Sequence, residues 1–199
     1  MKTVTAIAVI ALAAATTFAA GIQLGDKAPM TDTKMKNVDG KEVSIADVAG
    51  KNGTLVIFTC NHCPFAKAWE KRIVESGNSC SKKGVGVIAI NPNDPAAYDE
   101  DTYENMQRRA KDRGYEFPYV VDATSDVARA FGAKATPEVF LFDKDGKLVY
   151  HGAVDDSREA SKVSQRYLND ALEAVLAGKA VTTAETKAVG CSIKFRAKA

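Results

Sequence analysis

Two cysteines separated by two residues stand at a point where the sequence changes from a buried strand to a helix. The apolar residues 55–58 precede the motif Cys60-Asn61-His62-Cys63-Pro64. An unbroken apolar run is typical of a strand buried on both faces. Proline favours the first turn of a helix, whose N–H groups lack partners, and the positive end of the helix dipole stabilises a thiolate. The motif therefore predicts thiol–disulfide exchange.

Within this motif the position of each cysteine predicts its role. We expect Cys60, at the end of the strand, to be the more exposed thiol and to attack a substrate disulfide as a thiolate. Cys63 then attacks Cys60 and resolves the mixed disulfide. His62 lies between them, where an imidazole could stabilise the Cys60 thiolate or could simply be a solvated loop residue. A permanently closed, structural disulfide is the other interpretation of the cysteine pair.

The composition narrows the possible functions further. The 199 residues carry a net charge of +2 with basic and acidic residues interspersed, so neither a nucleic-acid site nor a membrane-surface helix is predicted. No cofactor is expected. A structural zinc ion needs about four ligands, whereas Cys60, Cys63 and His62 supply too few, so no metal site is predicted. Copper handling through the thiols remains as an alternative from a different class of function.

The first 21 residues have the pattern of a secretory signal peptide. Lys2 is followed by the apolar residues 7–15 and by small residues at the possible cleavage positions 19–21. An uncleaved anchor is the alternative, although the apolar stretch is shorter than the roughly 20 residues of a membrane span. We expect a periplasmic or secreted protein, free of the membrane after cleavage, in a compartment where disulfides persist.

The remaining sequence alternates strands and helices. Strands are predicted over residues 55–59, 85–90, 117–122, 138–142 and 148–150, and helices over residues 64–77, 98–113, 125–131 and from a cap at Asp156 to Gly178. This order predicts an α/β sandwich of three layers, with a central mixed β-sheet and helices on both faces. The two cysteines would lie at the carboxyl end of a central strand, where open α/β sheets place their sites.

Three segments give the sequence a resemblance to the thioredoxin superfamily: residues 58–64, Ala135-Thr136-Pro137, and residues 140–148. The resemblance implies a thioredoxin-like domain over residues 22–178. It also implies a cis peptide bond before Pro137, beside the cysteines, with the backbone of Thr136 facing the thiols and pairing with an extended substrate.

The insert over residues 91–117 resembles the redoxin and peroxiredoxin-like branch of that superfamily, which is related to AhpC/TSA proteins, and residues 190–195 resemble the tail of its exported members. A typical peroxiredoxin carries Pro-x-x-x-Thr-x-x-Cys. With Cys63 in the cysteine position, Cys60 replaces the threonine and Val56 the proline. The resemblance therefore implies a thiol–disulfide oxidoreductase acting on a disulfide-containing protein or a small thiol, with a redox partner protein. A thiol peroxidase is the alternative.

The tail over residues 179–199 holds a further cysteine, Cys191, beside the apolar Ile193 and Phe195. Because a solvated tail has little reason to carry apolar side chains, we expect it to dock on the domain. Cys191 is then a third redox thiol near the motif, a static disulfide partner of Cys80, or a free or intermolecular thiol. Cys80 is placed just beyond the end of the first helix and has no other predicted role.

Overall fold

The computed structural model describes residues 21–197, so the predicted signal peptide lies almost entirely outside the described residues. Its main sheet has seven strands in the order β2-β1-β5-β4-β3-β7-β8, and a separate pair joins β6 to β9. The strands are β1 Met35–Asn37, β2 Glu42–Val43, β3 Thr54–Phe58, β4 Gly86–Asn91, β5 Tyr119–Val121, β6 Ala135–Thr136, β7 Glu138–Phe142, β8 Leu148–Gly152 and β9 Cys191–Ser192.

The sheet is mixed because its central strand has neighbours of both directions. In β3, Leu55 pairs with Val87 of the parallel strand β4 and with Leu141 of the antiparallel strand β7. Both faces of β3 are buried, which explains its unbroken apolar sequence. The predicted mixed sheet with parallel strands at its centre is confirmed.

In the described part of the chain, four α-helices cover the two faces of the sheet: α1 Pro64–Ser81, α2 Tyr103–Arg113, α3 Asp126–Phe131 and α4 Tyr167–Leu176. Successive residues of β3 point to opposite faces, so Ile57 packs in a cluster with side chains of α1, α2 and α4, whereas Phe58 packs in a cluster with α3. These are the three predicted layers. Over residues 21–197, no helix is both long enough and apolar enough to cross a membrane.

Three helix boundaries differ from the sequence-based prediction. Helix α2 begins at Tyr103, after a 3₁₀ turn over Asp99–Asp101, instead of at residue 98. Helix α1 continues past Gly77 to Ser81, and Cys80 therefore lies inside the helix. Gly77 does not end the helix but allows close packing, since a Cβ there would lie 2.4 Å from the Phe117 ring. Helix α4 begins at Tyr167 instead of near Asp156, whose carboxylate accepts a hydrogen bond from the Ser164 N–H at 3.0 Å.

Candidate functional site

The two cysteines lie at the junction of β3 and α1, as the motif predicts. β3 ends at Phe58, and Cys63 is the N-cap residue of α1, with Pro64 at the first helical position. The Thr136–Pro137 bond is cis, which confirms that prediction. It brings Thr136 against both thiols: its Oγ1 is 3.0 Å from Cys60 Sγ, and its carbonyl oxygen is 3.2 Å from Cys63 Sγ.

Neither thiol of the pair is open to solvent. Cys60 keeps 3% of its surface exposed and Cys63 keeps 0%. Cys60 was expected to be the more exposed thiol, and its exposed fraction is only slightly larger than that of Cys63. The burial has a direct cause, because the C-terminal tail covers the motif.

The tail docks on the domain through a short antiparallel pairing of β9 with β6, in which Cys191 lies opposite Thr136. The Cys191 N–H points to Cys63 Sγ at 3.4 Å. Ile193 is buried in the core cluster beside α3, which confirms that the tail docks, while Phe195 stays 40% exposed.

A static bridge between Cys80 and Cys191 does not fit this geometry. All four cysteines are free. Cys80 lies near the far end of α1, about 24 Å along the helix from Pro64 at 1.5 Å per residue. Disulfide-bonded residues have Cα atoms within about 7 Å of each other. The structure therefore places Cys191 with Cys60 and Cys63 and leaves Cys80 in the core.

The two thiols of the motif share a hydrogen bond that shifts their pKa values in opposite directions. Cys60 donates to Cys63, which raises the pKa of Cys60, and burial and the charge of Asp101 raise it further. The same hydrogen bond lowers the pKa of Cys63 to about 4, against the effect of burial, with help from the Cys191 thiol and the Ala66 N–H of α1. Burial followed by the hydrogen bond to Cys63 raises the pKa of Cys191 to about 11. The hydrogen bond between the two thiols therefore favours ionisation of Cys63 over ionisation of Cys60.

A buried carboxylate, Asp101, organises the loop between the cysteines. Its side chain has 0% exposure. It accepts hydrogen bonds from the Asn61 N–H at 2.6 Å, from Asn93 Nδ2 at 2.9 Å and from Asn91 Nδ2 at 3.3 Å. The sequence pattern does not identify these residues, because Asp101 stands in an acidic run that has the composition of a solvated surface.

His62 also binds to Asp101, through a contact of 2.6 Å between Nδ1 and Oδ2. Its ring stacks on Tyr98 with the centroids 3.8 Å apart. The interpretation of His62 as a solvated loop residue does not hold, since its side chain is only 6% exposed. The hydrogen bond to Cys63, burial and the charge of Asp101 raise the pKa of Cys60, so the stabilisation of a Cys60 thiolate by His62 stays a prediction.

The same residues form a group of possible metal ligands. One ligand atom from each of Cys60, His62 and Asp101 lies within 4.8 Å of the others. However, both oxygens of Asp101 already accept hydrogen bonds from buried donors, including Asn61 and Asn93. A metal ion would have to displace those donors, so the geometry favours a hydrogen-bonded carboxylate over a ligand.

A second buried carboxylate, Glu138, fixes the strand that carries Thr136. One oxygen accepts hydrogen bonds from the N–H groups of Lys134 at 2.7 Å and Ala135 at 2.9 Å, and the other contacts His151 Nε2 at 2.6 Å. Burial acts to raise the pKa of Glu138, but these hydrogen bonds outweigh it and hold the pKa below its usual value. His151 thus has a structural partner in Glu138.

The fold and the site together define a thioredoxin-like protein with a buried dithiol next to a cis-proline. The chain belongs to the AhpC/TSA family, whose model matches residues 24–151. This confirms the resemblance to the redoxin branch.

The chain is also similar to several known proteins. Crystal structures of an uncharacterized conserved protein from Geobacillus kaustophilus and of a hypothetical protein from Sinorhizobium meliloti 1021 are similar, both with a TM-score of 0.82, at 40% and 36% identity. The first similarity covers 92% of this chain and 96% of that chain, and the second 89% and 97%. The thiol-disulfide oxidoreductase ResA of Geobacillus thermodenitrificans is 28% identical over 64% of this chain and 67% of its own length.

Alkylation of the reduced protein should show which thiol is ionised. Because the pKa of Cys63 is lowered to about 4, its modification by iodoacetamide should change little between neutral pH and pH 5 and should fall only as the pH approaches about 4. Cys60 and Cys191 should remain largely unmodified at acidic pH. Mass spectrometry of the digested protein measures the labelling at each cysteine. Faster labelling of Cys60 at acidic pH would instead assign the thiolate to that residue.

Proposed function

We propose that this protein is a thiol–disulfide oxidoreductase whose redox centre is the dithiol Cys60 and Cys63. The observation that carries the proposal is the contact of these two thiols with each other and with Thr136 at the N-terminus of α1. Paired thiols that share one proton and face a helix N-terminus are suited to exchange, because one of them is already a thiolate. The name of the related ResA protein supports the same activity.

In the proposed reaction one thiolate attacks a sulfur of the substrate disulfide, and the other substrate sulfur leaves as a thiolate. The second thiol of the pair then attacks the mixed disulfide, which closes the Cys60–Cys63 bond and releases the second substrate thiolate. Two electrons pass from the pair to the substrate. The lowered pKa of Cys63 favours this residue for the first attack, whereas the sequence pattern favours Cys60.

The surrounding residues have proposed roles in the same reaction. A ring nitrogen of His62 lies within 4.8 Å of Cys60 Sγ, and we assign to it the transfer of the Cys60 proton. When the pairing of β9 with β6 opens, Thr136 and Pro137 hold the backbone of an extended substrate beside the thiols. Cys191 is a third thiol of the relay. The substrate is a disulfide-containing protein or a small thiol compound, and a second redox protein regenerates the pair.

Export to the periplasm or to the exterior is part of the proposal. The pattern of residues 1–21 supports it, and so does the chemistry, because disulfide substrates persist in such compartments.

Turnover of a model protein disulfide, with a chemical reductant supplied, tests the proposed function. The variant Cys63→Ser should lose turnover to the background rate, because it removes the thiol that both Cys60 and Cys191 contact. The variant Cys60→Ser should lose most of the turnover, because only Cys63 and Cys191 can then close a disulfide. The matched control Cys80→Ser changes a buried cysteine remote from the site and should keep the activity. Full turnover by both site variants would refute the proposal.

Hydrogen peroxide as the oxidant should react more slowly than the disulfide, and a faster reaction would instead support the peroxidase alternative.

A further inference from the structure

The segment over residues 184–196, here called the arm, is held to the domain on both sides of the thiols. On one side its main chain exchanges hydrogen bonds of 3.0 Å with His151 of β8. On the other side the Lys194 N–H donates to Asn93 Oδ1 at 2.8 Å. Because both ends are attached, the part of the arm between them crosses the site at a fixed distance from the sulfur atoms.

The arm passes so close to the site that only glycine fits at position 190. A Cβ at Gly190 would lie 2.2 Å from the Thr136 carbonyl oxygen and 2.6 Å from its carbon. Glycine removes this conflict and lets the next residue, Cys191, pair with Thr136 in register. The register of β9 against β6 therefore places Cys191 beside the dithiol.

Cys191 meets one thiol of the pair and not the other. Its N–H lies 3.4 Å from Cys63 Sγ, and its thiol hydrogen-bonds to the same sulfur. Cys60 Sγ instead contacts Thr136 Oγ1 at 3.0 Å and shares its proton with Cys63. Cys63 thus lies between the other two thiols and contacts both.

We propose that Cys63 is shared between two alternative disulfides, the Cys60–Cys63 bond of the motif and a second bond between Cys63 and Cys191. This proposal rests on the proposed function, because exchange with a substrate supplies the oxidised Cys60–Cys63 pair. The arm acts as an internal partner that occupies the edge of β6, in the place of an external strand.

The internal exchange is balanced without any further oxidant. The Cys191 sulfur, as its thiolate, attacks Cys63 Sγ of the closed motif and forms the Cys63–Cys191 bond. The Cys60–Cys63 bond breaks, and Cys60 leaves with the electron pair and takes up the proton that Cys191 gave up. The site remains oxidised by two electrons, but its free thiol is now Cys60, beside His62.

The experiment removes one thiol of the motif at a time. Cys60→Ser and Cys63→Ser are each reduced, treated with oxidised glutathione, quenched by acid and mapped by mass spectrometry without reduction. In Cys60→Ser we expect a Cys63–Cys191 bond, formed at least about tenfold faster than any Cys60–Cys191 bond in Cys63→Ser, because the arm gives Cys191 a high effective concentration at Cys63 only. A mixed disulfide of Cys60 with glutathione should accumulate in Cys63→Ser.

Two results would overturn the proposal. One is an equally fast Cys60–Cys191 bond, and the other is a lasting Cys63–glutathione disulfide in Cys60→Ser.

Fluorescence of the single tryptophan, Trp69, verifies that both variants are folded. Wild-type turnover of the protein disulfide is measured in parallel. If the wild type turns over and the Cys63–Cys191 bond is absent, only the internal disulfide fails. If the wild type does not turn over, the proposed function fails whatever the mapping shows.

Discussion

Replacing Gly190 with valine should expose the buried thiols, with alkylation of Cys63 by a bulky maleimide rising about tenfold or more. The new side chain would overlap the Thr136 carbonyl group, which belongs to the backbone and cannot rotate away. Overpacking of this kind costs about 1–3 kcal/mol, and about 1.4 kcal/mol corresponds to a tenfold change in an equilibrium. The arm should relieve this overlap by separating from β6. Because a covered thiol reacts only in the open state, the labelling rate of Cys63 should rise in proportion to the population of that state.

The control for this variant is Val189→Ala. Val189 is the neighbouring residue and is 46% exposed, so its truncation leaves the contact with Thr136 in place. Labelling rates are measured by mass spectrometry at a fixed pH, together with urea unfolding to verify that each variant is folded. Equal labelling of Cys63 in Gly190→Val and in the control would show that the arm does not protect the site.

Replacing Asp101 with asparagine should lower the free energy of unfolding by about 2–4 kcal/mol, because a buried acceptor of several hydrogen bonds becomes partly a donor. The amide cannot accept at both positions, so the Asn61 N–H or the side chains of His62 and Asn93 lose their partner. Removal of the negative charge should also lower the pKa of Cys60, since that charge helps to raise it.

Asp99→Asn is the matched control, since Asp99 lies on the same 3₁₀ turn and is exposed. Urea unfolding followed by Trp69 fluorescence gives the free energy, and the pH dependence of thiolate absorbance gives the thiol pKa values. Similar stability of the two variants would contradict the structural role of Asp101.

The layered fold could be predicted because its signals are local in the sequence. The apolar run of β3, the proline that begins α1 and the Thr136-Pro137 pair each identify their own structure. The apolar Ile193 likewise predicted that the tail docks, since burial is the simplest reason for an apolar side chain in a polar segment.

The parts of the site that the sequence did not predict depend on contacts between residues that are distant in the sequence. Asp101 follows Asn61 by 40 positions and His62 by 39, and it also accepts a hydrogen bond from Asn91 at the end of β4. The acidic pattern around it is the same as that of a solvated helix. The choice between the cysteine motif and Cys80 as the partner of Cys191 could not be made from spacing, because β6 sets the register of the arm.

The start of α4 was missed for a related reason. Asp156 followed by Glu159 matches a capping box, and that pattern predicted a helix there. Asp156 instead accepts from the N–H and hydroxyl of Ser164 and closes a loop. A local competing hydrogen bond therefore decided the conformation, as is common for aspartate.

One threonine touches every sulfur-bearing part of the site. The hydroxyl of Thr136 contacts Cys60, its carbonyl contacts Cys63, and its backbone pairs with Cys191. This makes the Thr136 carbonyl a natural spectroscopic reporter. A ¹³C label placed there would alter no contact, and its infrared stretching frequency would register each exchange of partners as a separate band.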